Sequence, residues 1–213
     1  VVHAPTSLMN ASLAEEIERE RQADPQNFRR EFEATWLDDV DQFLPDTDID
    51  LAVVRDRREL PYNPELAGHY RAALDASGLT GKDRFTFAIG NAADNKNCVL
   101  DVLRGWTRQG VPLVCDEIKS LCASFGISTI RFDQFGYSFL KELMAQRGLE
   151  LHQLPFSASS KSEIFMNLKT ALAQGRLQLL DHPELLRELR MLECRRLSGG
   201  GYKISGPRSS HDD

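Results

Sequence analysis

Cysteine is scarce in this chain. Its four cysteines, Cys98, Cys115, Cys122 and Cys194, form no C-x-x-C pair. Neither a zinc ribbon nor a thioredoxin-type site is therefore expected, and reduced, mostly buried thiols are the plain expectation. No stretch approaches the roughly 18 consecutive apolar residues that a membrane helix needs. No G-x-x-x-x-G-K-[ST] motif occurs, so the phosphate loop of a P-loop NTPase is missing. The opening residues, Val1-Val2-His3-Ala4-Pro5, have neither the basic nor the apolar block of a signal peptide. They also lack a starting Met, and we read the chain as part of a longer one. Basic residues are not in excess: the net charge is -6 over 213 residues. The acidity is uneven, with fifteen acids and seven bases in residues 1–60 but seventeen and nineteen in residues 61–213. A strongly basic, nonspecific coat protein is excluded, while a nucleic-acid partner for the larger part is not.

What is present reads as an ordinary globular α/β chain. Ser12 followed by Glu15 fits a capping box, and Asp24-Pro25 fits the start of a second helix. Phe28, Phe32 and Trp36 give that helix an apolar stripe. The acidic stretch from Asp38 to Asp50 is expected to be a mobile connector. From about residue 68 the pattern changes to strands. His69–Leu74, Arg84–Asn91 and Cys98–Trp106 read as an antiparallel meander, with Phe85, Phe87 and Ile89 in alternation. Then follow a helix over Pro112–Phe125, a strand over Thr129–Phe132 and a helix over Tyr137–Arg147. A strand over Leu149–Leu154, a helix over Lys161–Gln174 and a helix over Pro183–Met191 come next. Cys194–Ser205 reads as a hairpin about Gly199-Gly200-Gly201.

A meander followed by strand–helix alternation predicts a mixed central sheet flanked by helices. The right-handed crossover rule places the later strands beside the first. The ribonuclease H-like fold, of resolvase and integrase type, has this order. Its appeal lies in where the acids fall. Asp75 closes the first strand, Asp133 the fourth, and Asp212 and Asp213 end the chain after His211. If strands one and four are neighbours, Asp75 and Asp133 meet at one end of the sheet. Like charges so placed repel, and a divalent cation relieves the repulsion. Two such ions about 3.5–4 Å apart can hold the attacking and leaving oxygens of a phosphodiester. Taken alone, however, Asp75-Ala76-Ser77-Gly78 is more often a turn with a capping Asp, and Asp133 more often a strand-end residue before a turn. Asp116 and Glu117 are read as partners of a helix N-terminus, with a metal-ligand role as the alternative. Lys161 opens a helix, either solvated or placed to meet a phosphate. Arg104, Arg108, Arg131, Arg195, Arg196 and Lys203 are candidates for contact with a nucleic-acid backbone.

Several stretches, taken in order, resemble the large subunits of tailed-bacteriophage terminases. Met9–Leu13 and Asp24–Ala34 resemble the linker between the packaging ATPase and the nuclease. Phe132-Asp133-Gln134-Phe135-Gly136 resembles the second acidic motif. Ser160–Phe165, Gly175–Leu179 and Pro183–Leu189 resemble the late helix, the strand after it and the segment beyond. His211-Asp212-Asp213 resembles the start of the third acidic motif. The resemblance implies a metal-dependent endonuclease that cuts concatemeric viral double-stranded DNA during packaging. It implies a linker remnant over residues 1–60 and a ribonuclease H-like nuclease over residues 61–213, without the motor. Asp75, Asp133 and either Asp212 or Asp213 would hold two divalent cations, Mg²⁺ or Mn²⁺, with His211 and Lys161 in support. Implied partners are DNA, the terminase ATPase domain, the portal and the small terminase subunit. The implied location is the bacterial host cytoplasm, at the procapsid portal, with no membrane.

Three alternatives stand beside this reading. One is another ribonuclease H-like nuclease, such as a resolvase. Another is a non-catalytic docking module for portal or ATPase. An ATP-binding domain of the actin and sugar-kinase type needs two such domains around a cleft, and the chain is too short for that.

Overall fold

The computed structural model describes residues 40–76, 85–92, 97–107, 109–133, 137–154, 157–196 and 202–206. The two N-terminal helices read from the sequence lie outside these residues. The described residues fall into two compact units: residues 40–41, 194–196 and 202 in one, residues 42–193 and 203–206 in the other.

The larger unit is built on a six-stranded sheet. Its strands are β2 (Tyr70–Asp75), β3 (Phe85–Asn91), β4 (Cys98–Trp106), β5 (Thr129–Phe132), β6 (Glu150–Gln153) and β7 (Leu177–Gln178), in the order β6-β5-β2-β3-β4-β7. The meander β2-β3-β4 is antiparallel, β5 and β6 continue parallel to β2, and β7 adds parallel to β4. This is the mixed, helix-flanked, ribonuclease H-like sheet expected from the element order. Three short strands, β1 (Val40–Gln42), β8 (Glu193–Arg196) and β9 (Tyr202–Ser205), lie outside it. The last two fall within the predicted hairpin, on either side of its three glycines, which lie outside the described residues.

Periodicity explains the layering. Tyr70, Ala72 and Leu74 of β2 are buried, as are Phe85, Phe87 and Ile89 of β3 and Ile130 and Phe132 of β5. Alternate residues of each strand thus make one apolar face. Helix α2 (Val111–Ser124) covers it with Val114, Cys115, Ile118 and Cys122, and helix α3 (Tyr137–Ala145) with Leu140 and Met144. Helix α4 (Ala158–Ala173) begins three residues before the predicted start. Ser157 caps it: its Oγ accepts from the Ser160 backbone N–H at 3.1 Å, and its own N–H donates to Ser160 Oγ at 2.8 Å. Helix α5 (Pro183–Arg190) follows β7.

One expectation is corrected. The later half of the acidic stretch is a helix, α1 (Asp46–Ala52), with Ile49 and Ala52 buried. Asp46 and Asp48 sit in its first turn, where negative charge is favourable. Arg190 of α5 reaches Asp50 at 2.5 Å and Asp46 at 3.5 Å. The chain then joins the sheet edge, as the Leu179 N–H donates to the Ala52 carbonyl at 2.8 Å and the Val54 N–H to the Leu179 carbonyl at 3.1 Å. The density of acids hid an i, i+3 apolar pair that burial rewards by a few kcal/mol, roughly 1.5–3 for a residue such as Ile49.

Strand β4 also departs from simple alternation. Ile89 pairs with Val102 but Gly90 pairs with Leu100, so Asp101 is the extra residue of a β-bulge. A Cβ at Gly90 would lie 2.8 Å from the Val99 carbonyl oxygen. Gly90→Ala is expected to lower unfolding free energy by roughly 1–3 kcal/mol, measured by urea denaturation, because backbone must shift to admit the methyl.

The thiols divide as expected only in part: Cys115 and Cys122 are buried, Cys194 is half-buried and Cys98 is exposed. Burial pushes the Cys122 thiol up to about 12, against a smaller opposing effect of Lys119. In the folded protein iodoacetamide is expected to label Cys98 and to spare Cys115 and Cys122, which react only after unfolding, as read by peptide mass analysis.

Candidate metal centre

Asp75 is the last residue of β2 and stands opposite Thr86 of β3. On its other side β2 runs parallel to β5, with Leu74 opposite Phe132. Asp133 is the next residue after Phe132. The two carboxylates therefore leave adjacent parallel strands at the same level, across a strand spacing of about 4.8 Å. Asp75 is exposed and Asp133 half-buried. Both lie at the carboxyl ends of parallel strands, the end at which open α/β sheets place their ligands.

The other predicted residues are placed unevenly. Asp212, Asp213 and His211 lie outside the described residues, as do Arg108 and the side chain of Arg196. Among the described residues no three His, Cys, Asp or Glu side chains converge on one point. Lys161 is exposed near the start of α4, which opens shortly after β6 stops. Arg131 of β5 and Lys203 of β9 are exposed, and Arg195 is half-buried. Arg104 makes a two-pronged ion pair with Glu59, at 2.9 Å and 2.8 Å, which raises the guanidinium pKa.

Asp116 and Glu117 are not at the helix start. Helix α2 begins at Val111 with Pro112 in its first turn, so both acids fall in the second turn. They serve tertiary contacts instead. Arg147 Nε donates to Asp116 Oδ1 at 2.7 Å, and the Trp106 indole N–H donates to Glu117 Oε2 at 2.7 Å.

A further acid escaped the sequence reading. Asp101 is 2% exposed, and Asn91 Nδ2 donates to both its oxygens, at 3.0 Å and 2.9 Å. The signal lay in Cys98–Trp106 itself, where an Asp breaks an apolar run at a position that plain alternation assigns to the outer face.

Comparison with solved structures decides the class of the sheet. The large terminase nuclease of thermophilic phage G20c superposes with a TM-score of 0.65 at 18% identity, over 78% of this chain and 90% of that one. The chain has the fold of a large terminase nuclease. The bacteriophage HK97 large terminase gives 0.63 at 16% identity, over 89% of this chain and 45% of that one, so this chain spans less than half its length. The G20c nuclease with bound magnesium gives 0.64 at 19% identity, over 78% of this chain and 89% of that one, and forms with cobalt and zinc match too. No protein-family model and no curated protein matches the sequence.

Asp101 gives a pH signature. Burial raises its carboxyl above the ordinary range, more than the Asn91 hydrogen bond and the Arg57 charge lower it. The native state thus takes up a proton before the unfolded chain, whose Asp titrates near about 3.9. Stability relative to Asp101→Asn is expected to rise as pH falls from neutral toward that value. Urea titrations of both proteins at pH 7 and pH 5 measure the difference, and a gap independent of pH contradicts it.

Proposed function

We propose that this chain is the nuclease part of a terminase large subunit, a divalent-metal-dependent endonuclease that cleaves concatemeric viral double-stranded DNA during packaging. The observation that carries the reading is the side-by-side exit of Asp75 and Asp133 in a fold shared with large terminase nucleases, one of which holds magnesium. Two carboxylates on an open sheet end form an oxygen-only donor set, which fits a hard divalent ion.

In this reading Asp75, Asp133 and either Asp212 or Asp213 hold two cations, Mg²⁺ or Mn²⁺. Bound there, the metals supply Lewis-acid stabilisation of the phosphodiester and a more acidic water. The chain itself supplies position. Asp75 and Asp133 each directly follow the β2–β5 pairing, which supports their being positioned before substrate arrives. Lys161 and His211 support the phosphate side, and Arg131 and Lys203 contact the DNA backbone. Arg104 can join them, because an exposed ion pair such as that with Glu59 contributes only about 0–1 kcal/mol and exchanges readily for a phosphate. Residues 1–60 form the linker side and residues 61–213 the nuclease, with α1 packed as an outer part of the sheet unit. The partners are DNA, the ATPase domain, the portal and the small subunit, and the place of action is the procapsid portal in the bacterial cytoplasm.

Plasmid cleavage tests this. Supercoiled DNA is expected to be nicked and linearised with Mg²⁺ or Mn²⁺ and left intact with EDTA. Losing even an outer partner of a metal site costs about 10–100-fold, so Asp75→Ala and Asp133→Ala are each expected to reduce cleavage by at least about 100-fold. Thermal melts confirm that the variants fold. A folded wild type that is inert with both metals, or variants that cleave as wild type does, would overturn the proposal.

A further inference from the structure

The opposite end of the sheet carries a second feature that the nuclease reading does not use. A cavity of about 550 Å³ lies there. It is bounded by Tyr70, the first residue of β2, whereas Asp75 is the last. Five strand steps, about 17 Å, separate the two ends. The cavity is far larger than the roughly 30 Å³ a water takes up and falls in the range of small-ligand pockets.

Its lining has two kinds of surface. Leu60, Leu66, Tyr70 and Val99 make apolar walls, and the Asn91–Asp101 pair makes a polar patch. The bulge in β4 is what turns Asp101 inward, and the Leu60 N–H fixes the loop above by donating to the Asp101 carbonyl at 2.8 Å. One amide nitrogen, Asn91 Nδ2, serves both carboxylate oxygens. A carboxylate accepts about four hydrogen bonds, so Asp101 keeps acceptor capacity that Asn91 does not use, although only 2% of the residue is exposed. A buried negative charge with so few donors is costly, and a cation in contact offsets that cost. Arg57 borders the cavity, yet its Nη1 donates to Gln178 Oε1 at 2.8 Å. It acts on Asp101 as a nearby positive charge.

We propose that this cavity binds an alkylammonium or alkylguanidinium group, with the cationic head on Asp101 and the aliphatic stem against Leu60, Leu66 and Val99. The same chemistry is offered by a Lys or Arg side chain of a polypeptide and by a free diamine. The bulge then has a purpose beyond shaping the strand: it sets Asp101 in the wall of the cavity, as bulges beside binding sites do.

Titration of the whole, isotopically labelled chain, followed by amide NMR, tests this. The probes are n-butylammonium and n-butylguanidinium, with n-butanol as the neutral control. The cations are expected to shift the amides of Leu66, Tyr70 and Val99 saturably, with Kd roughly millimolar, as befits fragments of that size. Asp101→Asn is expected to weaken binding at least about tenfold, the loss of one charged contact. Arg57→Gln is expected to tighten it, since it removes a like charge from the rim. This second variant keeps the test decisive should Asp101→Asn fail to fold. N-acetyl-lysinamide against putrescine then separates the two sources, the tighter one naming the ligand. Equal binding of butanol, no saturable shift with either cation, or weaker binding by Arg57→Gln would overturn the proposal. None of these readouts depends on DNA cleavage.

Discussion

The parallel pairing of β2 with β5 is the constraint on which the candidate centre depends. Leu74 stands opposite Phe132, and that single register places Asp75 and Asp133 side by side. The pairing is non-local: β3, β4 and α2 all intervene in the chain. It holds because Leu74 and Phe132 are both on the buried face, where a one-residue slip would turn apolar side chains toward water. Helix α2 supplies the connection and much of the cover. The hydrophobic effect thus sets the position of two charged groups that it never contacts.

The same sheet has two ends with different chemistry. At the carboxyl ends of β2 and β5 the acids are exposed or half-buried. At the other end the acid is buried, and a bulge rather than alternation puts it there. Gly90 makes that bulge feasible, since its missing Cβ leaves room for the Val99 carbonyl. A local defect in strand pairing therefore builds a polar point inside an apolar wall. Ordinary strand geometry would have sent Asp101 to the opposite face.

Helix α1 shows how composition can mislead. A dense run of acids reads as a solvated connector, because like charges resist compaction. Here three conditions cancel that tendency. The acids at the first turn favour the helix dipole, Ile49 and Ala52 share one face, and Arg190 from α5 answers Asp46 and Asp50. Two of these are visible in residues 46–52. The third comes from about 140 residues away along the chain, and no local reading could have supplied it.

By itself the sequence determined most of the element order, most strand and helix bounds, the apolar face of the sheet and the acids Asp75 and Asp133 at strand ends. These follow from periodicity, capping and turn residues, which act over a few neighbours. Only the tertiary structure decided the rest: that β5 lies beside β2 in the register that joins those two acids, that Asp116 and Glu117 serve Arg147 and Trp106, that α1 is ordered, and that Asp101 turns inward. Each depends on what packs across the sheet or between helices. Contacts between residues far apart in the chain leave no period in the sequence, so the fold class was legible where the pairings were not.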